Sequence, residues 1–185
     1  MLLSLTLFFG SIISGWQHPL QVERLELRTG YAIARNDDDH PTGFQTVPLL
    51  PSAVIPLTDT VGPPHLRGRI EWAPELFLAS FTYPYARPLL GANFFQFRYE
   101  FEPKGRWTPY VIGSFGVLHA KVDRQETGSD FNFNVESGLG ARYAMTDSAA
   151  LALEYRHIHI SNSNLDENNS GIDSETILAG LSIKL

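Results

Sequence analysis

Cysteine is absent from the 185 residues, so the chain has neither a disulfide framework nor a thiolate metal site. No apolar run is long enough for a membrane-crossing helix; residues 1–15 (MLLSLTLFFGSIISG) are too few and too rich in serine. Basic residues are outnumbered, 14 Lys and Arg against 20 Asp and Glu. The resulting net charge of −6 removes the global positive field that attracts nucleic acid. Methionine and lysine are scarce, and no phosphate-cradling Gly loop, zinc-type His/Glu spacing or helical period of useful length occurs. These exclusions leave an aromatic chain (12% Phe, Trp and Tyr) with frequent glycine. A transmembrane β-barrel has this profile, and a water-soluble β-sandwich shares it.

Residues 1–15 read as the apolar part of an export signal, with Ser14 and Gly15 near a cleavage point. The basic residue expected at its start is missing, and an ordinary apolar strand or helix is the alternative. From 22 to 185 the chain reads as one barrel domain dominated by period-two alternation. Leu25, Leu27, Thr29, Tyr31 and Ile33 alternate with Arg24, Glu26 and Arg28. Phe95, Phe97, Tyr99 and Phe101 oppose Gln96, Arg98 and Glu100, and Phe133, Val135, Leu139 and Tyr143 oppose Asn132, Asn134, Glu136 and Arg142. Residues 68–78 resume the pattern, and 108–121 form a Gly-punctuated, weakly patterned strand. Residues 47–58 carry Pro48, Pro51 and Pro56 and make the least secure strand, because proline interrupts a hydrogen-bonded ladder. The Asp37–Asp38–Asp39 run lacks the spacing of a calcium loop and reads as solvated. With the two runs that end the chain, the count is eight consecutive strands. The fold class expected is all-β: an eight-stranded antiparallel up-and-down transmembrane β-barrel.

Orientation decides what such a barrel does. The minority face carries both signs of charge (Arg24/Glu26/Arg28, Arg69/Glu71, Arg98/Glu100, Glu136/Arg142, Glu154/Arg156). Mixed signs suit a confined lumen in which charges neutralise one another. A soluble barrel with its apolar face inward also tolerates such pairs outside, so pattern alone leaves the two open. Strand length and aromatic density favour the membrane.

The stretch 151–175 carries the chemistry. Leu151, Leu153, Tyr155, His157, His159 and Ser161 share one face of a strand, with His159 and Ser161 about 7 Å apart at the usual rise. An imidazole can lean across that gap to a serine hydroxyl, the nucleophile-and-base pairing of acyl transfer. If residues 173–185 return as a hairpin partner, Asp173 or Glu175 comes back beside His159. His157 is too far from Ser161, about 13 Å, to act as its base and reads as an interfacial ring. Tyr155 reads as part of an aromatic belt. Asn164, Asp166, Glu167, Asn168 and Asn169 read as a solvated loop, with head-group binding as the alternative.

The segment Glu154-Tyr155-Arg156, His159-Ile160-Ser161-Asn162 and Ser170-Gly171-Ile172-Asp173-Ser174 resembles the acyloxyacyl hydrolase family of PagL-like lipid A 3-O-deacylases. Its H-x-S-N motif and its acid twelve residues past the serine map onto His159, Ser161, Asn162 and Asp173. The family more usually has Glu at the last position, so Glu175 on the same face stays open as the alternative acid. The resemblance implies an outer-membrane barrel that removes an ester-linked acyl chain from lipopolysaccharide without a cofactor or metal. Asn162 would stabilise the oxyanion, through its backbone N–H or, if the strand end bulges, its side chain. The partner implied is lipid A in the membrane, with no nucleic acid; a homodimer stays open. The alternatives kept are a non-catalytic structural or adhesion barrel and a soluble ligand-binding barrel.

Overall fold

Alternation becomes antiparallel sheet throughout the computed structural model, which describes residues 20–34, 43–83, 86–120, 127–167 and 169–185. The expected export signal, the Asp37–Asp39 run, Lys121 and Asn168 lie outside the described residues. The strands are β1 (Arg24–Ala34), β2 (Gln45–Pro56), β3 (Gly68–Trp72), β4 (Glu75–Tyr83), β5 (Arg87–Phe101), β6 (Trp107–Ala120), β7 (Phe131–Ala144), β8 (Ala149–Ser161) and β9 (Ile172–Lys184). β1 pairs with both β2 and β9, so the sheet closes on itself and leaves no edge. β3 and β4 occupy one strand position in succession, between β2 and β5, which makes a ring of eight. The break falls at Ala73–Pro74, where proline has no N–H for the ladder; Ala53 N–H still donates to the Pro74 carbonyl at 3.2 Å.

The least secure of the expected strands, the proline-rich β2, is a full strand of 12 residues. Its prolines sit where pairing lapses: Pro48 between the β1 pairs Thr29–Leu49 and Ala32–Thr46, and Pro51 between the β4 pairs Leu49–Leu78 and Ser52–Glu75. Pro56 ends the strand. The alternating run of Phe95 to Phe101 belongs to a strand that extends back to Arg87 across a bulge, because Ala92 faces Val117 and Phe95 faces Phe115. One extra residue turns both Phe94 and Phe95 outward and both Asn93 and Gln96 inward. The lumen, finally, is polar over only part of its length.

The apolar face looks outward. Leu25, Phe95, Leu153 and Ile177 are 49%, 62%, 60% and 64% exposed, whereas Arg28, Arg98 and Arg156 are essentially inaccessible. No water-soluble barrel would present this wall, so the exposed band is the lipid-facing surface. Among the described residues, five arginines (24, 28, 98, 142, 156) and six glutamates (26, 71, 75, 100, 136, 154) are buried inside, and the part-buried Arg69 balances the count. Partners are found across the lumen more often than along the strand. Arg98 reaches Glu26 at 2.6 Å, Arg142 pairs with Glu100, and Arg24 reaches Glu71 at 2.7 Å. Toward the end where β1 and β8 finish and β9 begins, the interior changes to an apolar plug that includes Phe44, Phe77, Phe81, Leu89, Leu118, Ile158, Ile160 and Ile172. Burying each such side chain contributes roughly 1.5–3 kcal/mol. The plug also separates the charge network from that rim.

Candidate active site

β8 and β9 pair in register beside the rim, His159 opposite Asp173, His157 opposite Glu175 and Tyr155 opposite Ile177. Parity places Tyr155, His157, His159 and Ser161 on the outer wall, while Ile158 and Ile160 fill the plug and Glu154 and Arg156 enter the charge network. One strand thus serves three environments, because its inner face passes from polar to apolar along its length.

His159 Nδ1 lies 2.8 Å from Asp173 Oδ1. A carboxylate only accepts, so Nδ1 carries a proton, and in a neutral ring Nε2 then holds the lone pair. Gly171 controls where that nitrogen points. It has φ +80°, and a Cβ placed on it would lie 2.9 Å from His159 Cε1 and 3.4 Å from Nε2. The Cε1–Nε2 edge of the ring therefore rests over Gly171, one residue beyond the last ladder pair, Ile160–Ile172, and so at the level of Ser161. Gly171→Ala is expected to strain the left-handed backbone and push the ring off Asp173. The expected loss of about 1–3 kcal/mol would appear as a lower urea midpoint of refolded barrel.

Ser161 ends β8, partly exposed, opposite Phe133 of β7. Among the described residues its hydroxyl makes no hydrogen bond to His159. The two acids separate by register: Asp173 contacts His159, and Glu175 lies 3.1 Å from His157 Nδ1 and accepts from the Tyr155 hydroxyl.

Asn162 takes the opposite parity, as alternation requires, and is fully buried. Its side-chain amide donates to the Thr127 carbonyl and its backbone N–H donates to Asn169 Oδ1 at 2.9 Å. The expected oxyanion donor is thus already engaged. Asn169 in turn donates to Asn164 Oδ1 at 2.9 Å, and Ser163 and Asn164 adopt φ of 55° and 63° to turn the chain. Part of the segment expected to be merely solvated is therefore a tied Asn loop behind Ser161. Thr127 carries no motif; Gly171 lies inside the Ser170–Ser174 segment of the resemblance, but its role as the seat of His159 has only one signal, a glycine at a loop-to-strand entry.

The family model of lipid A 3-O-deacylase (PagL) matches residues 70–182, a span that includes His159, Ser161 and Asp173. The crystal structure of the outer membrane enzyme PagL superposes with a TM-score of 0.61 at 19% identity, covering 88% of this chain and 99% of that one. Neisserial surface protein A gives a TM-score of 0.51 at 15% identity, covering 91% and 100%. Outer membrane protein PagN of Salmonella typhimurium is 26% identical over 89 residues, 42% of this chain; the chain spans 37% of that relative's length.

Proposed function

The chain belongs to the PagL family of lipid A 3-O-deacylases and is an outer-membrane β-barrel, and from that premise we propose that it is a serine esterase removing the 3-O-linked acyl chain of lipid A. The observation that carries this reading is the His159–Asp173 pair at 2.8 Å, held on the lipid-facing wall two residues below a rim serine. A site so placed meets an ester at the head-group boundary while its acyl chain stays in the bilayer. Polar groups at the bilayer centre would be costly, and the rim position avoids that.

In this mechanism His159 Nε2 takes the Ser161 proton as Oγ attacks the ester carbonyl, and Asp173 holds the ring and balances the imidazolium. The tetrahedral oxyanion requires donors preorganised for its charge. The Asn162 N–H is the nearest in sequence, and the oxyanion would displace the Asn169 amide oxygen from it, exchanging a neutral acceptor for a charged one. Collapse breaks the ester, the proton passes from His159 to the departing sugar hydroxyl, and water then releases the fatty acid from Ser161. Catalytic hydrogen bonds are often long or misaligned before substrate binds, so the open Ser161–His159 gap is compatible with this chemistry.

That same gap favours the second reading, a barrel without catalysis. Purified protein in detergent micelles with lipid A separates them by mass spectrometry. Loss of one hydroxyacyl chain is the expected result; unchanged lipid A across detergents and pH would overturn the proposal.

A further inference from the structure

A cleft at the rim opposite Ser161 lies outside the chemistry proposed above. It holds about 330 Å³ and is lined by His65 and Arg67 of the β2–β3 connection, by Phe101, Glu102 and Lys104 at and beyond the end of β5, and by Pro109 of β6. The register from β5 through β6 and β7 puts these residues at the Ala149 end of β8, away from Ser161. A contact on the outer wall builds the cleft. Tyr99 shares the outward parity of Phe97, and its hydroxyl donates to the Leu66 carbonyl at 2.6 Å, which ties the β2–β3 connection to the wall. Val61 and Gly68 close the same turn with hydrogen bonds of 2.7 and 3.0 Å. Gly68 leaves no room for a side chain, because a Cβ would lie 2.7 Å from Tyr99 Cε1. Phe101 meets the Tyr99 ring edge-on with centroids 5.1 Å apart, and the Glu102 N–H donates to the Arg67 carbonyl at 2.9 Å.

We propose that this cleft binds the phosphodiester head group of a phospholipid in the leaflet at that rim. Arg67 and Lys104 against Glu102 leave one net positive charge with His65 neutral, which matches a single phosphodiester. Arg67 Nε lies 3.1 Å from Glu102 Oε1, and both side chains are about half exposed. That pair leaves the two terminal amino groups of the guanidinium as donors for a phosphate, whose oxygens they suit bidentately. Phe101 and Pro109 lie on the outward faces of β5 and β6 and give the cleft an apolar flank on the bilayer side. The acyl chains of a lipid phosphate continue along this flank, whereas free phosphate gains nothing from it. Trp107 and Tyr143, with ring centroids 4.9 Å apart on the neighbouring strands, mark the same rim as head-group level. Cations beside a low-dielectric wall attract the phosphate more strongly than the same cations in open water. The cleft's role does not depend on the Ser161 chemistry.

Native mass spectrometry of the full chain, refolded in a neutral detergent without phosphate, tests this with dihexanoyl phosphatidylglycerol as the probe. One lipid per barrel is the expected stoichiometry. Arg67→Gln combined with Lys104→Gln should weaken binding at least about tenfold, since each basic group at a membrane surface adds to the attraction for a lipid phosphate. Arg106→Gln combined with Lys184→Gln is the control. It removes the same two charges from the same rim but outside the cleft, where Arg106 sits 5.8 Å over the Tyr143 ring and Lys184 ends β9. Binding there should change by less than about twofold. Tyr99→Phe keeps every charge but releases the turn from the wall, and should weaken binding severalfold. Heat-modifiable gel mobility checks that each variant is a closed barrel. Equal losses in the two double variants would reduce the site to diffuse charge attraction and overturn it. Equal binding of dihexanoyl glycerol, or unchanged binding in Arg67→Gln with Lys104→Gln, would also overturn it. Displacement of the lipid by equimolar inorganic phosphate would make this a site for free phosphate and refute the lipid assignment.

Discussion

Ser161→Ala is expected to reduce lipid A deacylation by about a thousandfold or more, while the barrel folds as before. Removing the nucleophile of a serine hydrolase eliminates the covalent route and leaves only the rate supplied by binding and oxyanion donors. Ser161 is well suited to a clean test, since among the described residues its hydroxyl holds no structural hydrogen bond to His159 and its side chain lies outside the apolar plug. The measurement is single-turnover release of hydroxy fatty acid from lipid A in mixed micelles, with heat-modifiability as the folding control. Residual activity within tenfold of the parent would remove Ser161 from the mechanism. Asp173→Asn should also be severe, whereas the register predicts a milder effect for Glu175→Gln, which contacts His157 and not His159.

The second large effect lies in the lumen. Arg156 is inaccessible to solvent and bridges three carboxylates: Glu75 and Glu136, both at 2.7 Å, and Glu154. Arg156→Met would keep the volume and remove the charge. Glu136 would retain only amide donors, from Asn93 at 2.9 Å and Asn134 at 2.7 Å, and Glu154 would keep the Tyr110 hydroxyl at 2.7 Å. Breaking a buried ion pair by deleting one partner typically costs about 3–5 kcal/mol, because the remaining charge is left uncompensated. The expected outcome is a sharply lower urea midpoint or failure to refold into micelles. Arg156→Met combined with Glu136→Gln should recover part of the loss by removing one stranded charge. A wild-type midpoint for Arg156→Met alone would show that water in the lumen, and not Arg156, solvates these carboxylates.

Much of this molecule is legible in its amino-acid order. Phe95, Phe97 and Tyr99 against Gln96, Arg98 and Glu100 define two faces, and they do so because side chains on a strand alternate without exception in regular ladder. The mixed signs on the minority face marked it as the side that must neutralise itself. His159 and Ser161 were placed on one face by the same parity, and the hairpin partner was implied by the next alternating run. Where the alternation is damaged, less is legible: the bulge at Asn93–Phe94 hides the first third of β5, and three prolines leave β2 the least secure strand. In both cases the missing information was the partner strand, which supplies the register that accommodates an extra residue or a missing N–H.

By itself, then, the amino-acid order determined everything that depends on period two: the strands, the two faces, and which side chains share the outer wall with Ser161. Which of Asp173 and Glu175 meets His159 belonged to tertiary structure, since it turns on a β8–β9 register that either acid could satisfy from sequence alone. So did the cross-lumen pairing of arginines and glutamates, the apolar plug that closes the lumen beneath the rim, the occupied N–H of Asn162 and the close seat of His159 over Gly171. Each of these depends on groups far apart in the chain meeting at van der Waals or hydrogen-bond distance, and no local periodicity encodes such a meeting.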